Sequence, residues 1–423
     1  MLLKNLVGIT DNFMVGTLGP EYMSALTIST RYFFFFTILL FAFVNAGGII
    51  ASQLWGKGDF QEYRKSCSIV LLLSMVISTF LSILIFLFSK ELISIMINNE
   101  PKLVEYGSTY LKIISFTLLI TGFNMALTVS FTSAGDTKTP FYGQLVITIS
   151  NIILNYILIY GKFGFPQLGV AGAAIASFIA TTLGTLVLIL FSIRKRSLSF
   201  TAFIKPQVFK IKEIIKLGSP ILGDMFFWQF SLILYLKLIS LGGKNDVAIY
   251  GVVNIFFSIF FLFISGFMNG TGIIVGQLIG AGLKQNGYDF AKKALKASLI
   301  VTIFPAVIIL LITPIIPTIF KLDNSLFLTT FICMLILIIR QPFAVVNGVI
   351  PTTIRAGKDT LYPLFVSIIP FIILSFPIAL IFGNGIFHFG IVGIFFAMSL
   401  EELSKSIIFL LRFKSKRWLK KSE

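Results

Sequence analysis

The sequence predicts an all-α, polytopic membrane protein of twelve transmembrane helices, arranged as two six-helix lobes related by pseudo-twofold symmetry along the membrane normal. Three observations lead there. Hydrophobic residues fill 57% of the 423 positions and charged residues only 12%, about half the charged share of a soluble domain. Almost every apolar run is long enough to cross a bilayer. The second half also repeats landmarks of the first at nearly one offset. Gln53-Leu54-Trp55-Gly56-Lys57-Gly58 returns 224 residues later as Gln277-Leu278-Ile279-Gly280-Ala281-Gly282. Ala134-Gly135-Asp136-Thr137 returns as Ala356-Gly357-Lys358-Asp359-Thr360 with one insertion, and Gly169-Val170-Ala171-Gly172 as Gly390-Ile391-Val392-Gly393.

Taken in order, the first lobe (1–193) holds spans at 1–17, 25–52, 66–88, 106–133, 141–160 and 169–193. Span 1, at 1.5 Å per residue, reaches only about 25 Å against a hydrocarbon core of about 30 Å. By the repeat, the counterpart of Lys216 falls before Met1, so the opening of this helix is expected to be missing. No charged n-region with a small-residue cleavage site marks a signal peptide. The Gly56/Gly58 and Gly280/Gly282 pairs, after spans 2 and 8, read as helix C-caps and turns at the cytoplasmic surface. In span 6, Gly172, Ala176, Ala180 and Gly184 recur every four residues, a face of small side chains suited to close helix contact. The polar stretch 194–213, with Pro206, is the expected cytoplasmic linker. The second lobe (214–412) holds spans at 214–240, 247–276, 293–320, 325–354, 361–382 and 390–412, and a basic tail covers 413–423. Prolines 305, 314, 317, 342, 351, 370 and 377 fall in or at the ends of its spans, which places the bent helices there. Because six is even, the halves enter the membrane from the same side and are parallel repeats. Two like halves in a membrane protein imply a transport path.

The formal charge of +17 is an orientation signal rather than a nucleic-acid footprint. With these spans, 23 Lys and Arg lie on one side, densest in 194–216 and the tail, and six (Lys90, Lys102, Lys112, Lys162, Lys244, Lys321) on the other. The basic side is then cytoplasmic, with both termini on it, and the expected location is the plasma (inner) membrane. Cys67 and Cys333 lie in apolar runs and read as small buried hydrophobes. His388 has no cysteine or carboxylate cluster nearby, so no metal site is expected. No P-loop pattern is present, so ATP is not the expected energy source.

An ionisable side chain inside a span is costly and marks a functional candidate. Asp11 is the foremost. Shielded from water, its carboxylate has two uses, exchange of a proton or retention of Na⁺ by hard oxygen ligands; the plainer alternative puts it near the water interface of a short helix. Asn151 and Asn155, four residues apart, present both amides on one face of span 5. The second lobe offers Asp224, Lys237, Arg340, Glu401 and Glu402. Glu401 and Lys405 form an i, i+4 pair able to neutralise itself. Glu402, about 100° around the helix, needs another partner, for which Arg340 is available. Arg31 either pairs across helices or snorkels outward.

Several segments together resemble the multidrug and toxic compound extrusion (MATE) family of cation-coupled antiporters, within a superfamily that includes flippases. They are Asp11 to Gly19, Gln53 to Asp59, Ser133 to Pro140, Asn151 to Gly161, Gly169 to Ala176, Gly276 to Gly282 and Arg355 to Thr360. The resemblance implies a V-shaped pair of lobes that rocks between inward- and outward-facing states and exports amphipathic, often cationic compounds in exchange for H⁺ or Na⁺. It also implies that Asp11, Asn151 and Asn155 form the ion- and proton-coupling site of the first lobe. Some members carry Asp where Asn155 stands, and the amide weakens proton binding there. The carboxylates that the NorM-like branch uses in spans 7 and 10 align with Trp228 and Ala344, so that cation site is expected to be absent, with Asp224 one turn away as a substitute. The expected protein is a monomeric transporter and not an enzyme. It binds an amphipathic or cationic small molecule amid membrane lipid, with no nucleic acid, ATP or cofactor besides the coupling ion. Two alternatives are a flippase for a lipid or lipid-linked oligosaccharide on the same fold, and an inactive truncated product.

Overall fold

The computed structural model describes residues 2–96, 100–195, 198, 207–320, 322–383 and 385–422. Its long helices are α1 (Leu2–Gly16), α2 (Pro20–Gly56), α3 (Phe60–Met96), α4 (Pro101–Ser133), α5 (Lys138–Tyr160) and α6 (Gly169–Lys195). They continue as α7 (Val208–Ser240), α8 (Lys244–Gly280), α9 (Lys284–Ile319), α10 (Phe327–Ala356), α11 (Leu361–Phe382) and α12 (Gly390–Lys414). No strand occurs among the described residues. Ten of these helices, α2 to α11, are long and apolar enough to span a bilayer. The other two are α1, with 15 residues, and α12, which carries Glu401, Glu402 and Lys405.

The helices overrun the apolar runs that announce them. α3 has 37 residues, about 55 Å at 1.5 Å per residue, because a helix keeps its own backbone hydrogen bonds after it leaves hydrocarbon. The expected linker 194–213 contracts for the same reason. α6 runs to Lys195 and α7 begins at Val208, and 196–206 lie outside the described residues except Leu198. Compactness divides the chain into Met1–Ser219 and Pro220–Glu423, so the start of α7 belongs with the first unit. There Lys210, only 5% exposed, reaches Glu62 at 2.5 Å; this member of the basic cluster is not a solvated charge.

Each unit has the same internal neighbours. In the first, α2 lies against α3 and α4, α4 against α6, α5 against α6, and α1 along α5. In the second, α8 lies against α9 and α10, α10 against α12, and α11 against α12, while Tyr235 and Phe371 bring α7 to α11. The turns repeat too: Gly58 and Gly282 have φ of 77° and 78°, the left-handed region that glycine enters without a Cβ penalty. Among the described residues the expected proline bends are met in part: Pro305, Pro342 and Pro351 lie inside continuous α-helix, and regular geometry breaks at three other places. α9 passes through a 3₁₀ turn at Thr313–Ile315 around Pro314. α11 opens into a π-turn at Phe371–Ser375 between Pro370 and Pro377, where the missing N–H and the ring of Pro377 displace the regular ladder. α3 kinks at Phe88 without a proline.

Packing of small residues and interhelical hydrogen bonds hold such units together, since lipid is as apolar as leucine. A Cβ on Gly172 would stand 2.6 Å from the Leu158 carbonyl oxygen, and one on Gly184 2.7 Å from that of Gly143. Gly172→Val is therefore expected to cost about 1–3 kcal/mol by overpacking. Gly251→Ala, with nothing within 4 Å of the new Cβ, should be tolerated. Thermal unfolding followed with a thiol-reactive dye on the buried Cys67 and Cys333 checks both; equal melting curves would remove the close-contact argument.

Candidate functional site

α5 holds α1 at three points along its length. The Thr148 hydroxyl donates to the Leu3 carbonyl at 3.1 Å, the Asn155 amide donates to Asp11 Oδ1 at 2.5 Å, and the Tyr160 hydroxyl donates to the Met14 carbonyl at 3.1 Å. The central contact is the chemically informative one. Asp11 is 8% exposed, and Asn151 and Asn155 are fully buried. Asn155 Nδ2 also donates to Asn151 Oδ1 at 3.1 Å, Asn151 Nδ2 donates to Ser177 Oγ at 3.1 Å, and Ser177 closes the ring toward Asp11 Oδ2 at 3.5 Å. Three helices, α1, α5 and α6, thus surround one carboxylate, and the sequence-predicted trio comes together.

Ser177 was missed by sequence reasoning. Its signal was a hydroxyl next to the small-residue face of α6, a turn beyond Gly172 to Ala174. Among the described residues no basic side chain pairs with Asp11, and Asn155 Oδ1 has no hydrogen-bond donor. A buried charge without a countercharge costs several kcal/mol. The cage can meet that cost with a proton on the carboxylate or with a small cation held between carboxylate and amide oxygens.

The second unit resolves its expected polar network into separate parts. Glu401, 6% exposed, accepts from the Tyr235 hydroxyl and from the Lys405 ammonium. Tyr235 also meets Ser375, which the π-turn of α11 presents and which donates to the Ala397 carbonyl at 2.9 Å. Glu402 does not pair with Arg340. It accepts from Asn347 at 2.6 Å, and Ser406 donates to that amide's oxygen at 3.1 Å. Asn347 stands seven residues beyond Arg340 on α10, about 10 Å along the helix, so the carboxylate meets the amide instead of the guanidinium. Asp224, the proposed substitute for a missing cation ligand, is engaged by Arg355 in an ion pair. Lys237 is exposed on α7 and joins none of these contacts. Arg340 is buried over the Phe257 ring, 5.2 Å from its centroid.

The repeated turn carries an ion pair in both units. Asp136 meets Lys195 at 2.5 Å and accepts from the Thr139 hydroxyl at 2.6 Å. Asp359 meets Arg412 at 2.5 Å. Burial pushes the Asp136 carboxyl upward, but Lys195 and the two Thr139 hydrogen bonds outweigh it and leave its pKa below the ordinary 3.8. A carboxyl lowered on folding adds stability in full above its unfolded value and loses it as pH falls through the lower folded one. Melting temperature should therefore fall more steeply from about pH 5 to about pH 3 in the wild type than in Asp136→Asn. Parallel curves would show that this carboxyl does not carry the acid sensitivity. Among the described residues no group of three or more His, Cys, Asp or Glu side chains could hold a metal ion.

The MatE family profile matches residues 1–157 and 220–381. The chain is 24% identical to the probable multidrug resistance protein NorM of Thermotoga maritima, over 100% of this chain and 90% of that protein. It is 23% identical to the uncharacterized transporter YisQ of Bacillus subtilis, over 98% of this chain and 91% of that protein. A MATE protein crystallised in its bent conformation shares the fold at TM-score 0.91 and 18% identity, covering 99% of this chain and 93% of the other. An outward-facing multidrug resistance MATE family transporter aligns at TM-score 0.88 and 17% identity, covering 98% of this chain and 92% of the other. The profile match through both units, joined to this shared all-helical fold, places the chain in the MatE family of multi-pass membrane transporters.

Proposed function

We propose that the protein is a secondary antiporter that exports amphipathic, often cationic small molecules in exchange for H⁺ or Na⁺, with Asp11 as the coupling group. One observation carries the reading: a carboxylate enclosed by Asn151, Asn155 and Ser177, without a basic partner among the described residues. In the ionised state Asp11 uses the single Asn155 amide and the Ser177 hydroxyl as donors. In the protonated state it brings a donor of its own, and Asn155 Oδ1, which lacks one, accepts it after a turn of the amide. Sodium is held instead by the hard oxygens of the same two side chains. Either ion changes which atoms tie α1 to α5 and α6, so loading is felt by the packing of three helices. A transporter alternates when its ligands prefer different packings. The relatives named as multidrug resistance proteins support the cargo class, and the basic loops support an orientation with both termini in the cytoplasm.

Ethidium efflux, read as accumulation inside everted vesicles, tests the coupling. A proton ionophore should collapse efflux if H⁺ drives it, and a sodium ionophore should do so if Na⁺ does. Efflux that persists under both ionophores, or is absent under both gradients, rejects ion-coupled drug export and leaves a lipid flippase as the better reading.

A further inference from the structure

Arg340 is the least satisfied charge described in the second unit. It is 5% exposed, and among the described residues its buried Nε and Nη1 atoms have no acceptor while its guanidinium lies over the face of Phe257. An aromatic face attracts a guanidinium but accepts none of its directed hydrogen bonds as an oxygen does. The two open atoms lie on different edges of the planar group, so each edge offers an unmet donor. Phe257 and Arg340 each lie 13 residues into their helices, about 20 Å from the helix start. On α8, beside Phe257, Asn254, Ser258 and Phe261 are exposed. Side-chain amides and hydroxyls exposed at this depth favour a wet cavity over hydrocarbon. The position therefore combines an unmet donor, a ring platform and polar groups on an accessible face.

We propose that Arg340 anchors a binding site for the carboxylate of an amphipathic aromatic acid or zwitterion, whose apolar body lies along Phe257 and Phe261. A lipid phosphate offers the same acceptor chemistry, but headgroups sit at the bilayer surface and Arg340 lies near the middle of a 30-residue helix. The proposal concerns binding in the second unit and stands independently of coupling at Asp11.

Equilibrium dialysis of the full chain in nanodiscs, against protein-free nanodiscs, tests it with radiolabelled 2-naphthoate and its neutral isostere 2-naphthamide. The wild type should bind naphthoate about tenfold more tightly than naphthamide, the order expected for a charge-assisted pair. Arg340→Gln should bring that ratio to about one with naphthamide binding unchanged, and Arg340→Lys, which keeps the charge but loses the planar fork, should fall between. Phe257→Leu leaves the guanidinium in place and should weaken naphthoate by about threefold; it decides the matter if Arg340→Gln is not monodisperse on gel filtration. No naphthoate preference in the wild type, or a preference that survives Arg340→Gln, overturns the proposal and leaves buried water as the partner. Naphthoate binding that is absent in phospholipid nanodiscs and appears only in lipid-free detergent overturns it in favour of a lipid phosphate.

Discussion

Asp11→Asn is expected to reduce ion-driven ethidium export to the level of protein-free vesicles while leaving the protein folded. The substitution keeps shape and removes the only group in the cage that can take up a proton or carry a negative charge. It also supplies what the cage lacks, because the new amide can donate to Asn155 Oδ1, the buried acceptor without a partner. Exchanging one satisfied hydrogen-bonding group for another changes stability by about 1 kcal/mol or less. Function and fold should therefore separate, with melting temperature and gel-filtration profile close to wild type and gradient-dependent efflux gone. Full activity in this variant would remove Asp11 from the mechanism. Lost export together with aggregation would make its role structural, and Asp11→Glu decides between the two, since it restores an exchangeable carboxyl at the cost of one methylene. Partial gradient-driven export in Asp11→Glu, with none in Asp11→Asn, is the coupling signature.

The architecture was legible because lipid imposes it. Every backbone polar group must be satisfied within its own helix, so apolar runs, turns and the internal repeat carried the helix order. Asp11, Asn151 and Asn155 were legible as a group from a carboxylate in an apolar run, two amides at helical spacing, and the family resemblance of the segments that hold them. Partners between distant helices were not. Tyr235 reaches Glu401 from α7 and meets Ser375 of the π-turn, and nothing in a one-dimensional pattern says which way a π-turn aims a hydroxyl. Asp224 sits 131 residues from Arg355, and charge alone offered Lys237 as readily. The expected Arg340–Glu402 pair failed on position along the helix. Asn347 lies opposite Glu402, and Arg340 stands two turns away.

Asp359→Ala is expected to be the most destabilising change in the second unit, by about 3–5 kcal/mol, because it leaves the Arg412 guanidinium partly buried without its carboxylate. Asp359 is fully buried, and Arg412, 15% exposed, donates to it from both Nε and Nη2 while its other face covers the Tyr362 ring at 4.6 Å. The matching pair in the first unit should behave differently although it occupies the same repeated turn. Lys195 is 47% exposed and Asp136 23%, so water replaces the lost partner and Asp136→Ala should cost under about 1 kcal/mol. For a unit of this size each kcal/mol moves the melting temperature by about 2–4 °C. A thiol-reactive dye reading Cys333 in a Cys67→Ser background should thus show a drop of roughly 6–20 °C for Asp359→Ala. Reading Cys67 in a Cys333→Ser background should show only a few degrees for Asp136→Ala. The double variant Asp359→Asn/Arg412→Met removes both charges and should recover much of the first loss, since an absent pair costs less than a broken one. Equal effects at the two turns would mean that burial does not set the strength of these pairs, and failure of the double variant to recover would assign Asp359 a role beyond its arginine.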